Sequence, residues 1–541
     1  MNKKNTLLTV ALGSLLLILA GCTSGNADST STNSNKTLNV TLGGNPATAD
    51  PALSGDRFSS AIIGQTYEGL YAYDKKGNVI PGVATKLVKP TNNGTVYTYN
   101  LKKDAKWSNG DEVTAQDFVT SFEHEVDPTS KSQIASDFKY FKNYNAVQSG
   151  KMKPSALGVK ALSEKKLQIT LSKPQPWLND ILASKGYPIN TAAFKKYGSK
   201  YGTSSAKTVT NGAYKLVNWN GTSDDWEYVK NTHYWDAKNV KINKVAVQVV
   251  KEPGTAQNLF TSGKVQETAL SGTYVKNNEN NKSLKTTLNG SMRFLEFNDK
   301  KAVTHNANVR KAFSYIINRE SITKNVLQDG SAPATSLIPK GDAKDPQTGE
   351  DFTKEVGNLL SYNPKKATVL WNKAKKQLGK KTVNLQILSA DTDDEKHVAQ
   401  YLQQQAEKYM PGLHVTVQSL PLAQQIAKGA KMDYDIDLDG WSTNWYDPLD
   451  FLQMADGSNP VNFTKWDDKT YQNMIKEIND TSNHTTQQRW DLMKKADTYV
   501  TENAGLVPLY QQAKAYLVSD KVGGMDYSMI TEAQYKYAYW K

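Results

Sequence analysis

The strongest constraint on the fold lies between Val383 and Asp439, where strand-like and helix-like patterns alternate. Val383–Leu388 reads as a strand, 393–409 carries helical periodicity, Val415–Leu420 reads as a second strand and Asp435–Asp439 as the next. A strand–helix–strand unit covers both faces of its sheet with helices, so the stretch predicts an α/β lobe. The same alternation recurs upstream. Thr37–Gly43, Val96–Leu101, Leu167–Leu171 and Arg293–Asn298 read as strands, and Val245–Val250 is the nearly unbroken apolar run of a buried one. Ser59–Tyr73 has helical spacing through Ile62, Ile63, Tyr67 and Leu70. Asn308–Asn325 places Val309, Ala312, Phe313, Ile316, Ile317 and Ile322 on one helical stripe, and Pro364–Leu378 is a further amphipathic helix. No tandem repeat is visible. At 541 residues the chain has the length of about two to four lobes.

Composition narrows the class. An apolar share of 38% and a mean hydropathy of −0.61 exclude a polytopic membrane protein. The 11 Trp, 28 Tyr and 13 Phe can anchor large cores and suit a roomy binding cavity. The formal charge is +13, but the lysines fall in scattered pairs such as Lys195-Lys196 and Lys365-Lys366. No long basic tract is interleaved with stacking aromatics, so nucleic acid is not an expected partner. The six histidines lie far apart in sequence, and one cysteine makes neither an intrachain disulfide nor a thiolate cluster. No metal or cofactor is expected.

The single cysteine has another use. Lys3 and Lys4 precede an apolar segment, Leu7 to Ile18, that is short for a membrane span. Leu19-Ala20-Gly21-Cys22 follows and resembles a bacterial lipobox. Residues 1–21 are expected to be a signal peptide, with Cys22 as the lipidation site and 22–37 as a lipid-anchored polar tether. The expected location is the outer face of the cytoplasmic membrane, as on a Gram-positive cell surface.

Catalytic signatures are missing. The chain has no G-x-S-x-G elbow, no phosphate-binding G-x-x-x-x-G-K-[ST] loop, no G-x-G-x-x-G and no H-E-x-x-H. The acidic pairs Asp224-Asp225, Asp393-Asp394 and Asp467-Asp468 sit in polar stretches and read as solvated turns. An enzyme is not expected.

An ordered series of short words points elsewhere. They are Asp50-Pro51-Ala52, Tyr67-Glu68-Gly69-Leu70, Pro81-Gly82-Val83-Ala84, Trp107-Ser108-Asn109-Gly110-Asp111, Asn211-Gly212-Ala213-Tyr214-Lys215-Leu216, Tyr234-Trp235-Asp236, Val309-Arg310-Lys311-Ala312, Tyr362-Asn363-Pro364, and Gly440-Trp441 leading to Tyr446-Asp447-Pro448. Most are scaffold: Trp107–Phe118 supplies a turn, a Thr114 N-cap and a buried helix face, and Asn211-Gly212 suits a turn with positive φ. In this order, over about residues 38–520, they resemble the oligopeptide-binding (OppA/DppA-like) family of extracellular solute-binding proteins, the peptide-capturing subunits of ABC importers.

The resemblance implies a two-lobed, periplasmic-binding-protein-like α/β clamp with an additional small domain. Lobe I would comprise 38–57, 183–284 and 512–541, the small domain 58–182 packed beside it, and lobe II 285–511. The clamp would close over an extended oligopeptide held by strand-like main-chain bonds, with a permease and an ATPase as partners and a monomeric state. Ligand contacts are implied at Asn45, Leu270, Ser271, Trp441, Asn444, Trp445 and Asp447. Members of this family often place an aspartate three residues after the tryptophan, where it receives the peptide's α-ammonium. Here that position is Asn444, an amide without the charge, and Asp447 is the neighbouring carboxylate able to supply it. Other readings stay open: a peptide-pheromone receptor, a surface-anchored hydrolase, and an adhesin holding anionic wall polymers.

Overall fold

The computed structural model describes residues 36–541, except 76, 458, 460, 461 and 531. The expected signal peptide and Cys22 lie outside the described residues. One large mixed sheet organises the molecule. Its strands run, edge to edge, Leu413–Leu420, Val383–Ala390, Ile436–Ser442, Leu284–Phe297, Val507–Val518, Glu267–Leu270, Leu38–Leu42, Lys244–Val249, Asp225–Lys230 and Tyr214–Val217. The short strand Ala332–Pro333 pairs beside Val507–Val518.

Two long strands join the halves of this sheet. Leu284–Phe297 and Val507–Val518 pair antiparallel, Leu284 opposite Leu517 at one end and Leu295 opposite Val507 at the other. The ladder slips between Leu288 and Met292 and again between Arg293 and Phe294. Such irregularities bend and twist a strand pair, so the two halves of the sheet turn relative to each other at this point. Gly290 sits in the slip, and a Cβ there would fall 2.5 Å from Thr443 Oγ1. Only glycine permits this approach of the long strand to the segment after Ile436–Ser442.

The Val383–Asp439 unit is as its periodicity predicts. Val383–Ala390 pairs parallel with Leu413–Leu420 and with Ile436–Ser442. The crossover helix Asp393–Tyr409 is capped by Thr392 and buries Val398, Ala399, Leu402 and Ala406. Leu295, Phe297, Ile436 and Leu438 face this helical layer in one core with Phe313, Ile316 and Trp371. A second core, on the other half, gathers Leu38, Val40, Trp219, Trp226, Tyr228, Val245 and Val247.

The third core belongs to the small antiparallel sheet Val96–Asn100, Lys166–Thr170, Val159–Ser163 and the helix Ala115–Val126. Thr114 and Asp117 form the capping box, and Asp117 also accepts from Trp107 Nε1 at 3.0 Å and from Thr191 N at 2.9 Å. Tyr97, Phe118, Phe122 and Trp177 share one buried cluster with Trp445, Phe451 and Trp490. This unit therefore shares packing with Trp445, Phe451 and Trp490 as well as bonding to Thr191.

Three expectations change. The stripe Asn308–Asn325 is not one helix: Ala307–Ile316 ends, and Asn318 caps a new turn by accepting from Ser321 N at 3.0 Å. The buried Arg319 fixes the break, donating from Nε to Pro508 O at 2.7 Å on the crossing strand. The helix begun near Ser59 spans Arg57–Thr66 only, and Tyr71–Tyr73 turns into a hairpin strand with Val79–Pro81. Asn211-Gly212 is no positive-φ turn; Gly212 is required because a Cβ would lie 2.6 Å from the Thr66 carbonyl carbon.

Candidate functional site

A cavity of about 300 Å³ opens where the crossing strands meet the first half of the sheet. The parallel strands Leu38–Leu42 and Glu267–Leu270 end at it, so Gly43 and Ser271 bring main-chain groups to its wall. Ligand crevices form at such carboxyl ends because the following loops diverge there. Asn289, within the ladder slip, lines it as well. Asp329 and Asp394 reach it from the second half, so both halves build one wall each.

Its cations all stand on one side. Arg57, Lys251 and Lys514 come from the first half of the sheet and the strand returning to it, with the acids Glu267 and Glu532 among them, and Lys514 pairs with Glu532 at 3.2 Å. Asp329 and Asp394 stand on the opposite side. Burial, then the Asp329 charge, push the Asp394 carboxyl above its ordinary value. Glu267 is 1% exposed, and burial raises it to about 8 against a 3.0 Å hydrogen bond from Tyr535 that favours its charged form. Carboxylates held above their ordinary range gain from an incoming cation, because it offsets the desolvation of their charge.

Of the sequence-derived contacts, the structure places Leu270 and Ser271 in this cavity. The others lie elsewhere. Asn45 Nδ2 donates to Asp224 Oδ1 at 2.7 Å on the surface. Trp441 Nε1 donates to Asp450 Oδ1 at 3.0 Å. The Asn444 backbone N–H donates to Asp450 Oδ2 at 2.6 Å, its Nδ2 approaches Oδ1 at 3.4 Å, and its carbonyl accepts from Ser184 Oγ at 3.3 Å. Asp450 is fully buried, and burial raises its carboxyl to about 7. Trp445 packs in the core shared with Trp177 and Phe451. Asp447 is bound by Arg489 through both oxygens, at 2.6 and 2.8 Å, and its Oδ1 also accepts from Leu449 N.

The Asp447 carboxylate thus already has a buried guanidinium as its partner. The Asn444 amide likewise faces Asp450 rather than the cavity. The reading of Asp393-Asp394 as a solvated turn is corrected for Asp394, which lines the cavity. Its only local signal is the Thr392 cap before it, which puts the first helical turn, and with it Asp394, at a strand's carboxyl end.

A sheet in two halves, joined by two crossing strands with a cavity at the junction, defines a two-lobed α/β solute-binding clamp with an additional small domain. The chain belongs to the bacterial extracellular solute-binding proteins, family 5, whose middle region matches residues 78–463. It is 30% identical over 534 residues to the dipeptide-binding protein of Lactococcus lactis subsp. cremoris (strain MG1363), covering 96% of this chain and 95% of that one. Among solved structures, it is similar to Listeria monocytogenes OppA bound to peptide, with a TM-score of 0.79 and 35% identity, covering 93% of this chain and 99% of that one. It is equally similar to the pheromone receptor PrgZ, with a TM-score of 0.80 and 35% identity over 93% of this chain and 99% of that one.

Proposed function

We propose that this protein is the peptide-capturing subunit of an ABC importer, anchored by lipid on Cys22 at the outer face of the cytoplasmic membrane and acting without catalysis. It delivers its cargo as a monomer to a permease driven by an ATPase. The observation that carries this reading is where the cavity's cations stand: Arg57, Lys251 and Lys514 are all on the first-half side, with the acids Glu267 and Glu532 among them, and only carboxylates, Asp329 and Asp394, charge the other. A short peptide is a zwitterion with an uncharged, hydrogen-bonding middle. Its carboxylate suits the first wall, its ammonium the second, and its main chain the strand ends at Gly43 and Ser271. Main-chain recognition is indifferent to side chains, which gives broad specificity.

In this reading lobe I (38–57, 183–284, 512–541) and lobe II (285–511) pivot at the ladder slip around Gly290, with 58–182 packed beside lobe I. Segments of the tether, 22–37, give the reach from the membrane. The likeness to the Listeria relative, whose structure holds a peptide, and to a pheromone receptor supports peptide as the ligand class, and the receptor favours a second reading, a receptor for a signal peptide. Mass spectrometry of small molecules released by denaturing the purified protein distinguishes them. A mixed set of intact short peptides is expected of a nutrient importer, and one sequence of a signal receptor. Release of no peptide, from protein that also fails to take one up, overturns both.

A further inference from the structure

Beyond the cavity, three carboxylates meet on one face of the sheet. Glu296 lies directly opposite Asp437 in the pairing of the long strand with Ile436–Ser442, and Asp439 follows on the same face. One oxygen from each lies within 4.8 Å of the others. Glu296 is wholly buried, and among the described residues neither of its oxygens has a hydrogen-bond partner. The helix Leu422–Ala430 covers the group. Its Gln425 donates from Nε2 to Asp437 Oδ1 at 2.7 Å and to Leu438 O at 2.9 Å, which leaves Gln425 Oε1, also buried, without a partner. The last turn of that helix comes close, a Cβ on Gly429 falling 3.6 Å from Asp437 Oδ2. The negative end of the helix therefore adds to the negative potential.

The nearby cations do not balance this. Lys465 is the basic group that favours ionised Glu296, while Arg293 pairs with Glu395 at 3.1 Å and lies near Asp439. Burial, then the Asp439 and Asp437 charges, drive the Glu296 carboxyl well above its ordinary range. Two buried oxygens without a partner, beside two further carboxylates, are costly unless something positive binds them.

We propose that Glu296, Asp437 and Asp439, with the Gln425 amide oxygen, form a calcium-binding site that ties the crossing strand to Ile436–Ser442. All four donors are hard oxygens, and none is a histidine or thiolate, which selects calcium or magnesium over transition metals. The ligand set decides between these two. Magnesium gives up its waters reluctantly and is usually held by one or two carboxylates, whereas calcium accepts a site built of many protein oxygens. Three carboxylates gathered in one buried place suit calcium. Asp439, partly exposed, leaves the ion a way in.

The test uses the full chain, stripped with a chelator and titrated calorimetrically with calcium chloride and, separately, magnesium chloride, with thermal unfolding at each concentration. Calcium is expected to bind at one site and raise the unfolding midpoint progressively with concentration. Magnesium is expected to bind about tenfold or more weakly. Glu296→Gln, which keeps the shape and removes the charge, is expected to abolish the shift. Should that variant fail to fold, Asp439→Asn at the rim carries the same expectation. The proposal is overturned if calcium gives neither heat nor shift, or if the shift survives in these variants. It is overturned equally if Glu296→Gln stabilises the metal-free protein while calcium has no effect on the native chain, since protons then hold the carboxylates.

Discussion

Asp447 and Arg489 grip each other through two parallel bonds, Oδ2 to Nη1 at 2.6 Å and Oδ1 to Nη2 at 2.8 Å, both side chains buried. Arg489 also donates from Nε to Ile478 O at 3.1 Å and lies 4.8 Å from the Trp177 ring of the small domain. The pair therefore joins the loop after Ile436–Ser442, the helix Thr486–Glu502 and the segment that carries Trp177. Removing one partner leaves a buried charge unpaired, which costs about 3–5 kcal/mol. Asp447→Asn should lower the stability read from urea unfolding by that order, and Asp447→Leu with Arg489→Met should recover part of it. An Asp447→Asn variant as stable as the native protein contradicts the pairing.

Asn444→Asp would set a second carboxylate against Asp450. Asp450 already titrates near 7 because it is buried. Its raised value means the stability it confers is complete below about pH 4 and is lost as pH rises through 7. The new charge repels most when Asp450 is ionised, so the stability gap between variant and native protein should widen from about pH 5 to about pH 8. The same change should leave the preference for free over N-acetylated peptides unaltered, because position 444 faces Asp450 and not the cavity. A tenfold gain for free peptides would return Asn444 to the ligand's amino end.

Glu267 gives a pH dependence of its own. Its folded carboxyl titrates near 8 against an ordinary 4.5. Between these values the folded state holds the proton more tightly than the unfolded chain, so stability falls as pH rises. Glu267→Gln should flatten that slope in denaturant titrations across the window. A native protein whose stability is level from about pH 5 to 8, and unchanged by the substitution, contradicts the buried, proton-holding environment.

Cys22→Ser tests the anchor. The variant is expected in the medium or soluble fraction on cell fractionation, while the native chain sediments with membranes. A variant that remains membrane-bound after its leader is cleaved contradicts lipid attachment at this residue.

What the sequence reveals follows the reach of each interaction. The Thr114–Asp117 capping box and the Val383–Asp439 unit are local patterns, and the structure has them where the spacing predicts. The break after Ile316 depends on Arg319 meeting Pro508, a partner nearly two hundred residues away that no helical stripe reports. The candidate site behaves the same way. Trp441, Trp445 and Asp447 look exposed to ligand because they crowd after a strand, but Asp450 in the turn that follows takes Trp441, and Trp177 and Arg489 from distant segments claim Trp445 and Asp447. Asp394 looks solvated because its sequence neighbours are polar, and only the crossing of the long strands turns it toward Ser271 and Arg57.

The most direct measurement of the central claim is calorimetric titration of the native protein and of Asp394→Asn with one short peptide in three forms: free, N-acetylated and C-amidated. The native protein should bind the free form best and return it intact. Asp394→Asn should weaken the free form by about tenfold, the difference between a charge-assisted and a neutral bond, while hardly changing the acetylated one. Equal binding of all three forms, or equal losses for the free and acetylated peptides, would contradict a cavity that holds a peptide by its charged ends.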